Sequence, residues 1–194
     1  AYDDSERWGQ LHWLVDHITP AQAKYLATLP DDRTLFLPGT ETLRIAHGVP
    51  GQNRVGFYPF QDPELIASQI DHVPERTLIS AHTHHQIDRY IIRRPRDVLG
   101  VDASTLDNQG NLQSLIRQTQ AAADWWHLIN PGSVGLPLNG DVNAQFALLD
   151  SDPNGILPGG WRATHLSVPY DRRPVLESFY TCLLYTSPSP RDIG

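Results

Sequence analysis

The sequence predicts an α/β fold, and three observations predict it. Short apolar strand-like runs alternate with helix-like stretches from Arg33 to Ser80. Two of those runs end in histidines, at His47 and at His82-Thr83-His84-His85. Gly- and Pro-rich turns separate the runs. Ligands in such folds gather at the carboxyl ends of strands, where both histidine groups fall.

Composition sets the frame. The chain has 194 residues, 40% hydrophobic and 19% charged, which suits one domain with a real core. A net charge of -7 gives no electrostatic case for a nucleic-acid polymer or an anionic membrane. No apolar run reaches the roughly 18 to 20 residues of a membrane span. The single cysteine excludes an internal disulfide and a cysteine-based zinc site. A reducing, cytoplasmic setting is expected.

Tyr2 to His17 carries Trp8, Leu11, Leu14 and Val15 at helical spacing, behind the first-turn acids Asp3 and Asp4. Thr19-Pro20-Ala21-Gln22 spells a capping box with proline at the first helical position. Tyr25, Leu26 and Leu29 form that second helix's apolar face, and both helices read as packing elements. Arg33 to Pro38 and Thr42 to Ala46 read as strands. His47-Gly48-Val49-Pro50-Gly51 follows directly, its glycines permitting backbone to approach a ligand. Gly51 to Pro63 is a loop holding Phe57, Tyr58 and Phe60. Pro63 to Ile70 is a helix with Leu65, Ile66 and Ile70 as its stripe, and Thr77 to Ser80 is the next strand.

Three histidines then occupy four positions, 82 to 85. Neutral imidazole is the commonest metal ligand, and a strand end holds it rigidly. Extended backbone places residues i and i+2 on one side. That parity turns His82 and His84 to one site and His85 away, to a surface or supporting role. The arrangement suits two neighbouring ions with one ligand each, or one shared ion.

Further on, Arg93, Arg94 and Arg96 read as a solvated strand end, with phosphate contact as the sharper alternative. Asp107 to Asn111 is a polar turn. Leu112 to Trp126 reads as a helix whose Trp125 and Trp126 pack on a sheet rather than stack on a base. Asn130-Pro131-Gly132-Ser133 is a turn. Ala144 to Leu149 and Trp161 to Val168 are strands joined by a Pro/Gly hairpin. His165 alternates outward on the return strand and is not expected to bind metal.

Leu43-Arg44-Ile45-Ala46-His47-Gly48, Ile79-Ser80-Ala81-His82-Thr83-His84 and Ile129-Asn130-Pro131-Gly132-Ser133-Val134-Gly135 occur in that order. Together they resemble the calcineurin-like metallophosphoesterases, especially the small bacterial and archaeal predicted phosphoesterases. The family carries an isolated metal histidine, a Gly-His-x-His motif and an Asn-Pro-Gly-Ser segment. Ala81 stands where the family has glycine. Val168-Pro169-Tyr170-Asp171 resembles the family's last strand. The family's Asp-x-His, Gly-Asp and Gly-Asn-His-Asp motifs have no counterpart here. The expected fold is therefore the C-terminal part of a two-sheet αββα sandwich, its N-terminal half missing, over residues 1–181. Material from Ile87 to Trp126 is longer than the family minimum.

Two features agree with a fragment. The chain contains no methionine, and Cys182 to Asp192 matches, residue for residue, a translated transposon-type sequencing adaptor. Residues 182–194 are therefore expected to be foreign to the fold.

The resemblance implies two divalent ions, drawn from Mn, Fe, Zn or Ni. His47 and His82 would bind one, and His84 the other. It implies hydrolysis of a small phosphomonoester or phosphodiester by metal-activated hydroxide. No residue of this chain matches the family's catalytic histidine, and the chain by itself is expected to be inactive. The alternative is a non-catalytic scaffold of the same fold, which has no chemical need of the three histidines.

Overall fold

The computed structural model describes residues 5–93 and 124–181. The expected helix over 112–123, the turn at 107–111, Arg94, Arg96 and the tail 182–194 lie outside those residues. The chain divides into two compact units, Ala1–Pro30 with Tyr170–Gly194, and Asp31–Pro169.

The first unit contributes helices α1 (Ser5–His17), α2 (Pro20–Ala27) and α4 (Arg173–Thr181). The capping box forms as the sequence predicts. Thr19 N donates to Gln22 Oε1 at 2.9 Å, and Gln22 N donates to Thr19 Oγ1 at 3.3 Å. Among the described side chains the packing expected of the first two helices is not found: Leu11, Leu14, Val15, Tyr25, Leu26 and Leu29 are all exposed.

The second unit holds two sheets. The larger has the order β1 (Asp32–Leu35), β2 (Leu43–Ala46), β3 (Thr77–Ile79), β5 (Trp125–Pro131), β4 (Gln86–Ile92). β2, β3 and β5 run parallel, with Arg44 beside Leu78 and Leu78 beside Leu128. β1 and β4 are antiparallel flanks. Their common polarity brings the ends of β2, β3 and β5 to one edge of the sheet. Helix α3 (Pro63–Ile70) starts where Asp62 caps Glu64 N at 2.8 Å and Pro63 takes the first helical position. Its Ile66, Ala67 and Ile70 join Val49, Phe57, Leu78, Ile87, Ile91, Trp126 and Leu128 in one buried cluster.

Trp125 and Trp126 begin a strand rather than end a helix. Trp125 to Asn130 is an unbroken buried run. A strand covered on both faces loses the polar-apolar alternation that separates it from a buried helix, so periodicity misreads it. The segment after Ile87 likewise opens as β4, which closes the sheet against β5.

The smaller sheet is the hairpin β6 (Ala144–Ser151) and β7 (Trp161–Val168). Gln86 ties it to the larger sheet: Nε2 donates to Leu166 O at 3.0 Å and Phe146 O at 3.4 Å. Trp161 Nε1 donates to Glu41 O at 3.0 Å, and Thr77 Oγ1 to Gly159 O at 3.1 Å. His165 does not alternate outward. It is half-buried, with Nε2 2.8 Å from the carbonyl of Asn130.

Candidate functional site

β2 delivers His47, and the chain turns at once. A Cβ on Gly48 would lie 2.2 Å from the Val55 carbonyl oxygen, so only glycine fits there. The close approach is to the chain's own backbone, not to a ligand. Val49 N donating to Val55 O at 2.7 Å closes the turn. β3 delivers Ser80 and Ala81. Ser80 Oγ donates to Gly48 O at 3.0 Å, and Ala81 N donates to His47 O at 2.9 Å. The two histidine segments are thus stitched together through the backbone carbonyls of His47 and Gly48.

The result is a histidine pair. His47 Nε2 lies 3.0 Å from His82 Nδ1, with the rings edge to face at 5.0 Å between centroids. One ring donates and the other accepts, according to tautomer. The spacing also suits shared ligation. Two nitrogens each about 2.0–2.1 Å from one ion, at octahedral to tetrahedral angles, stand about 2.8–3.4 Å apart.

The turn that carries these rings is not a strand. His82 has φ 62 and His84 has φ 57, both left-handed, and Ala81 is not among the positive-φ residues. Histidine is one of the few side chains enriched there. Thr83 N donates to Ala81 O at 2.7 Å, tightening the bend. The parity that assigned His82 and His84 to one side and His85 away therefore has no backbone to act on. His84 Nδ1 lies 2.7 Å from Leu136 O, and His85 Nδ1 lies 2.6 Å from Thr83 O. Each ring donates that N–H and keeps Nε2 as a lone-pair atom. A carbonyl accepting from one ring nitrogen is the usual support of a ligating imidazole.

Asn130, at the end of β5, holds the turn from below. Its side chain is fully buried. Nδ2 donates to Ala81 O at 2.8 Å and Thr83 Oγ1 at 3.2 Å, while Oδ1 accepts from Gly132 N at 3.0 Å. Thr83 Oγ1 donates onward to Phe57 O at 2.7 Å. Sequence reading named the Asn-Pro-Gly-Ser segment as a turn and missed this bracing role. Its signal was a polar residue at the end of an apolar run.

The residues present fit a share of a metal centre. His47 and His82 have the spacing of joint ligands, and the His84 ring is supported at Nδ1 by the Leu136 carbonyl. Among the described residues no group of three or more His, Cys, Asp or Glu is placed to hold an ion together. An ion at the histidine pair needs water or other residues to complete its shell.

Another polar pair lies on the opposite face of β5. His127 is 2% exposed, and its Nε2 lies 2.7 Å from Asp88 Oδ1 on β4. Tyr90 stacks on it at 4.4 Å, and among the described residues His127 Nδ1 has no hydrogen-bond partner. The Nε2 hydrogen bond from His127 holds the Asp88 carboxyl below its usual range, against burial. Sequence reading did not find this pair, because the partners are joined only by strand register.

No family model and no curated protein matches the chain. Solved structures do. A metallophosphoesterase from Sphaerobacter thermophilus is similar with a TM-score of 0.54 and 19% identity, over 88% of this chain and 61% of that one. The hypothetical protein PH1004 from Pyrococcus horikoshii OT3 is similar with a TM-score of 0.54 and 17% identity, over 86% of this chain and 51% of that one. The chain spans between half and three fifths of the length of these proteins. At such identities the likeness is one of fold: a mixed α/β chain built around a five-stranded mixed sheet, matching roughly half of a metallophosphoesterase.

Proposed function

We propose that this chain carries part of the metal centre of a phosphoesterase that hydrolyses small phosphomonoesters or phosphodiesters. His47 and His82 share one divalent ion, and His84 serves a second. The observation that carries the reading is the 3.0 Å approach of His47 Nε2 to His82 Nδ1 at the ends of two parallel strands. A pair of divalent ions, when bound, supplies charge to the phosphate oxygens and a hydroxide nucleophile near neutral pH. This chain's own contribution is orientation. Asn130 and Thr83 fix the turn, Leu136 O fixes the His84 ring, and Ser80 fixes the backbone behind His47.

The second reading is a scaffold of the same fold without catalysis. Cobalt(II) absorption of the chain separates the two. The phosphoesterase reading expects a His47- and His82-dependent spectrum, each alanine variant binding about 10- to 100-fold more weakly. The chain alone is expected to be inactive on p-nitrophenyl phosphate and its diester. Sequencing of the source DNA beyond both ends of this reading frame tests the other half of the proposal. The carboxylate motifs of the family should lie upstream in frame, and the longer product should hydrolyse one of those esters. A cobalt spectrum indifferent to both histidines transfers the weight to the scaffold.

A further inference from the structure

His165 of β7 reaches the end of β5. Its Nε2 lies 2.8 Å from the Asn130 carbonyl oxygen, which can only accept, so His165 carries its proton on Nε2. Asn130 passes the contact on. Its fully buried side-chain amide donates to Ala81 O at 2.8 Å and Thr83 Oγ1 at 3.2 Å, the residues on either side of His82. A chain of hydrogen bonds therefore runs from the hairpin β6–β7 to both neighbours of His82. Other contacts hold the hairpin against the same end of β5. Gln145 N, on β6, donates to Ser133 O at 3.0 Å. Gln86, two residues after His84, donates through Nε2 to Pro131 O at 3.3 Å and to Leu166 O at 3.0 Å. A Cβ on Gly132 would come within 2.6 Å of Gln145 Oε1 and 2.8 Å of Gln86 Cγ, so β6 and β4 both press on the Asn130–Ser133 turn.

The histidine turn needs such support. His82 and His84 sit in left-handed backbone, which persists where the surroundings over-determine it. The Asn130 amide points at Ala81 O only while its own backbone is fixed, and the pairing of β3 with β5 ends one residue earlier, at Ile129. A donor from the second sheet at the Asn130 carbonyl supplies that restraint. We infer that His165 is a positioning residue for the histidine turn. From β7 it sets Asn130, Asn130 sets the backbone around His82, and the hairpin thereby governs how His82 meets His47. The consequence for metal binding deepens the function proposed above and rests on it; the positioning itself rests on the hydrogen bonds alone.

The test uses the full chain, first without metal, and follows amide hydrogen exchange by NMR. Ala81 N donates to His47 O, and Thr83 N to Ala81 O. His165→Phe keeps a ring and removes the donor. Both amides should then exchange about 2- to 10-fold faster, the worth of one hydrogen bond. His165→Gln returns an N–H and should restore most of the protection. Trp161→Phe loosens the other end of β7 by removing the Nε1–H donated to Glu41 O at 3.0 Å, and should leave both amides unchanged. In the parent chain, nitrogen-15 shifts of the neutral His165 ring should show the Nε2–H tautomer. Protection at Ala81 and Thr83 indifferent to His165→Phe, an equal loss in all three variants, or an Nδ1–H tautomer in the parent overturns the proposal. Cobalt(II) titrated into the same variants should bind about 2- to 10-fold more weakly in His165→Phe alone. A cobalt response indifferent to His47 and His82 counts against the metal centre, while the exchange pattern still decides the role of His165.

Discussion

The side-chain amide of Asn130 reaches the carbonyl of Ala81 at 2.8 Å, across from the end of one parallel strand to the end of the next. It bonds a turn containing two left-handed histidines, a conformation that holds only when its surroundings dictate it. Asn130→Ala should cost about 1–3 kcal/mol in urea unfolding, since it removes a fully buried amide that donates to both Ala81 O and Thr83 Oγ1. It should also weaken cobalt(II) binding although no ligand has been removed. An equal stability loss from Ile91→Ala, in the core cluster, should leave cobalt binding intact. If both variants weaken the metal alike, Asn130 acts through stability alone.

Acid stability should carry the signature of Asp88. Its carboxyl is held low, first by the His127 hydrogen bond and then by the charges of His127 and His165, against burial. A carboxylate with a depressed folded-state value stabilises the fold above its unfolded value of about 3.9. That contribution disappears as pH falls through the lower folded value. Melting temperature should therefore drop more steeply below about pH 4 in the parent than in Asp88→Asn. At neutral pH, Asp88→Ala should cost about 1–3 kcal/mol, because the buried His127 ring then loses its side-chain partner.

At the alkaline end, Tyr90 should ionise late. Burial, with the charge of Asp88 adding to it, pushes its hydroxyl up to about 12. A raised value means the contribution is complete below pH of about 10 and is lost as pH rises toward the folded value. Tyrosinate absorbance should show a late phase that Tyr90→Phe removes. A single transition at the ordinary tyrosine pH in the parent would contradict the burial argument.

Glu75 is a buried carboxylate tied to the β1–β2 edge. Arg44 Nε lies 3.1 Å from Glu75 Oε2, Arg44 Nη1 lies 2.6 Å from Asp32 Oδ1, and Thr34 donates to Glu75 Oε1 at 2.5 Å. Burial raises the Glu75 pKa, but the Thr34 and Arg44 hydrogen bonds outweigh it and the value is lowered. Arg44→Met should cost about 2 kcal/mol by leaving the buried carboxylate without its cation, held only by the Thr34 hydroxyl and its own backbone N–H. Adding Glu75→Leu should recover most of that loss, because two apolar groups restore what half a pair cannot. The urea midpoint should report both steps with little change in slope.

The elements legible in the sequence are those specified by near neighbours. The Thr19–Gln22 capping box, the Pro63–Ile70 helix and the Trp161–Val168 strand lie where local chemistry puts them. His47 and His82 were legible as strand-end residues, and register brings them together. What escaped reading depends on distant partners. Trp125 and Trp126 carry no alternation because both faces of β5 are covered. Asn130 and the His127–Asp88 pair gain their meaning only across strands. The parity argument that turns His85 away fails for another reason: left-handed backbone at His82 and His84 breaks the alternation on which it depends. The apolar stripes of α1 and α2 were read correctly as stripes, yet the structure leaves them exposed.

The run of parallel neighbours β2, β3 and β5 has a consequence for time as well as space. Parallel strands cannot pair through a tight hairpin, so each pairing waits for a long crossover to close. Hairpins such as β6–β7 form from neighbouring sequence and should appear early. His47 and His82 meet only once β2 and β3 are in register, and Asn130 braces their turn only once β5 has joined. Competence to capture a metal ion is thus acquired late. In a refolding experiment, cobalt colour should lag the return of secondary structure, which makes the histidine pair a clock for the completion of the sheet.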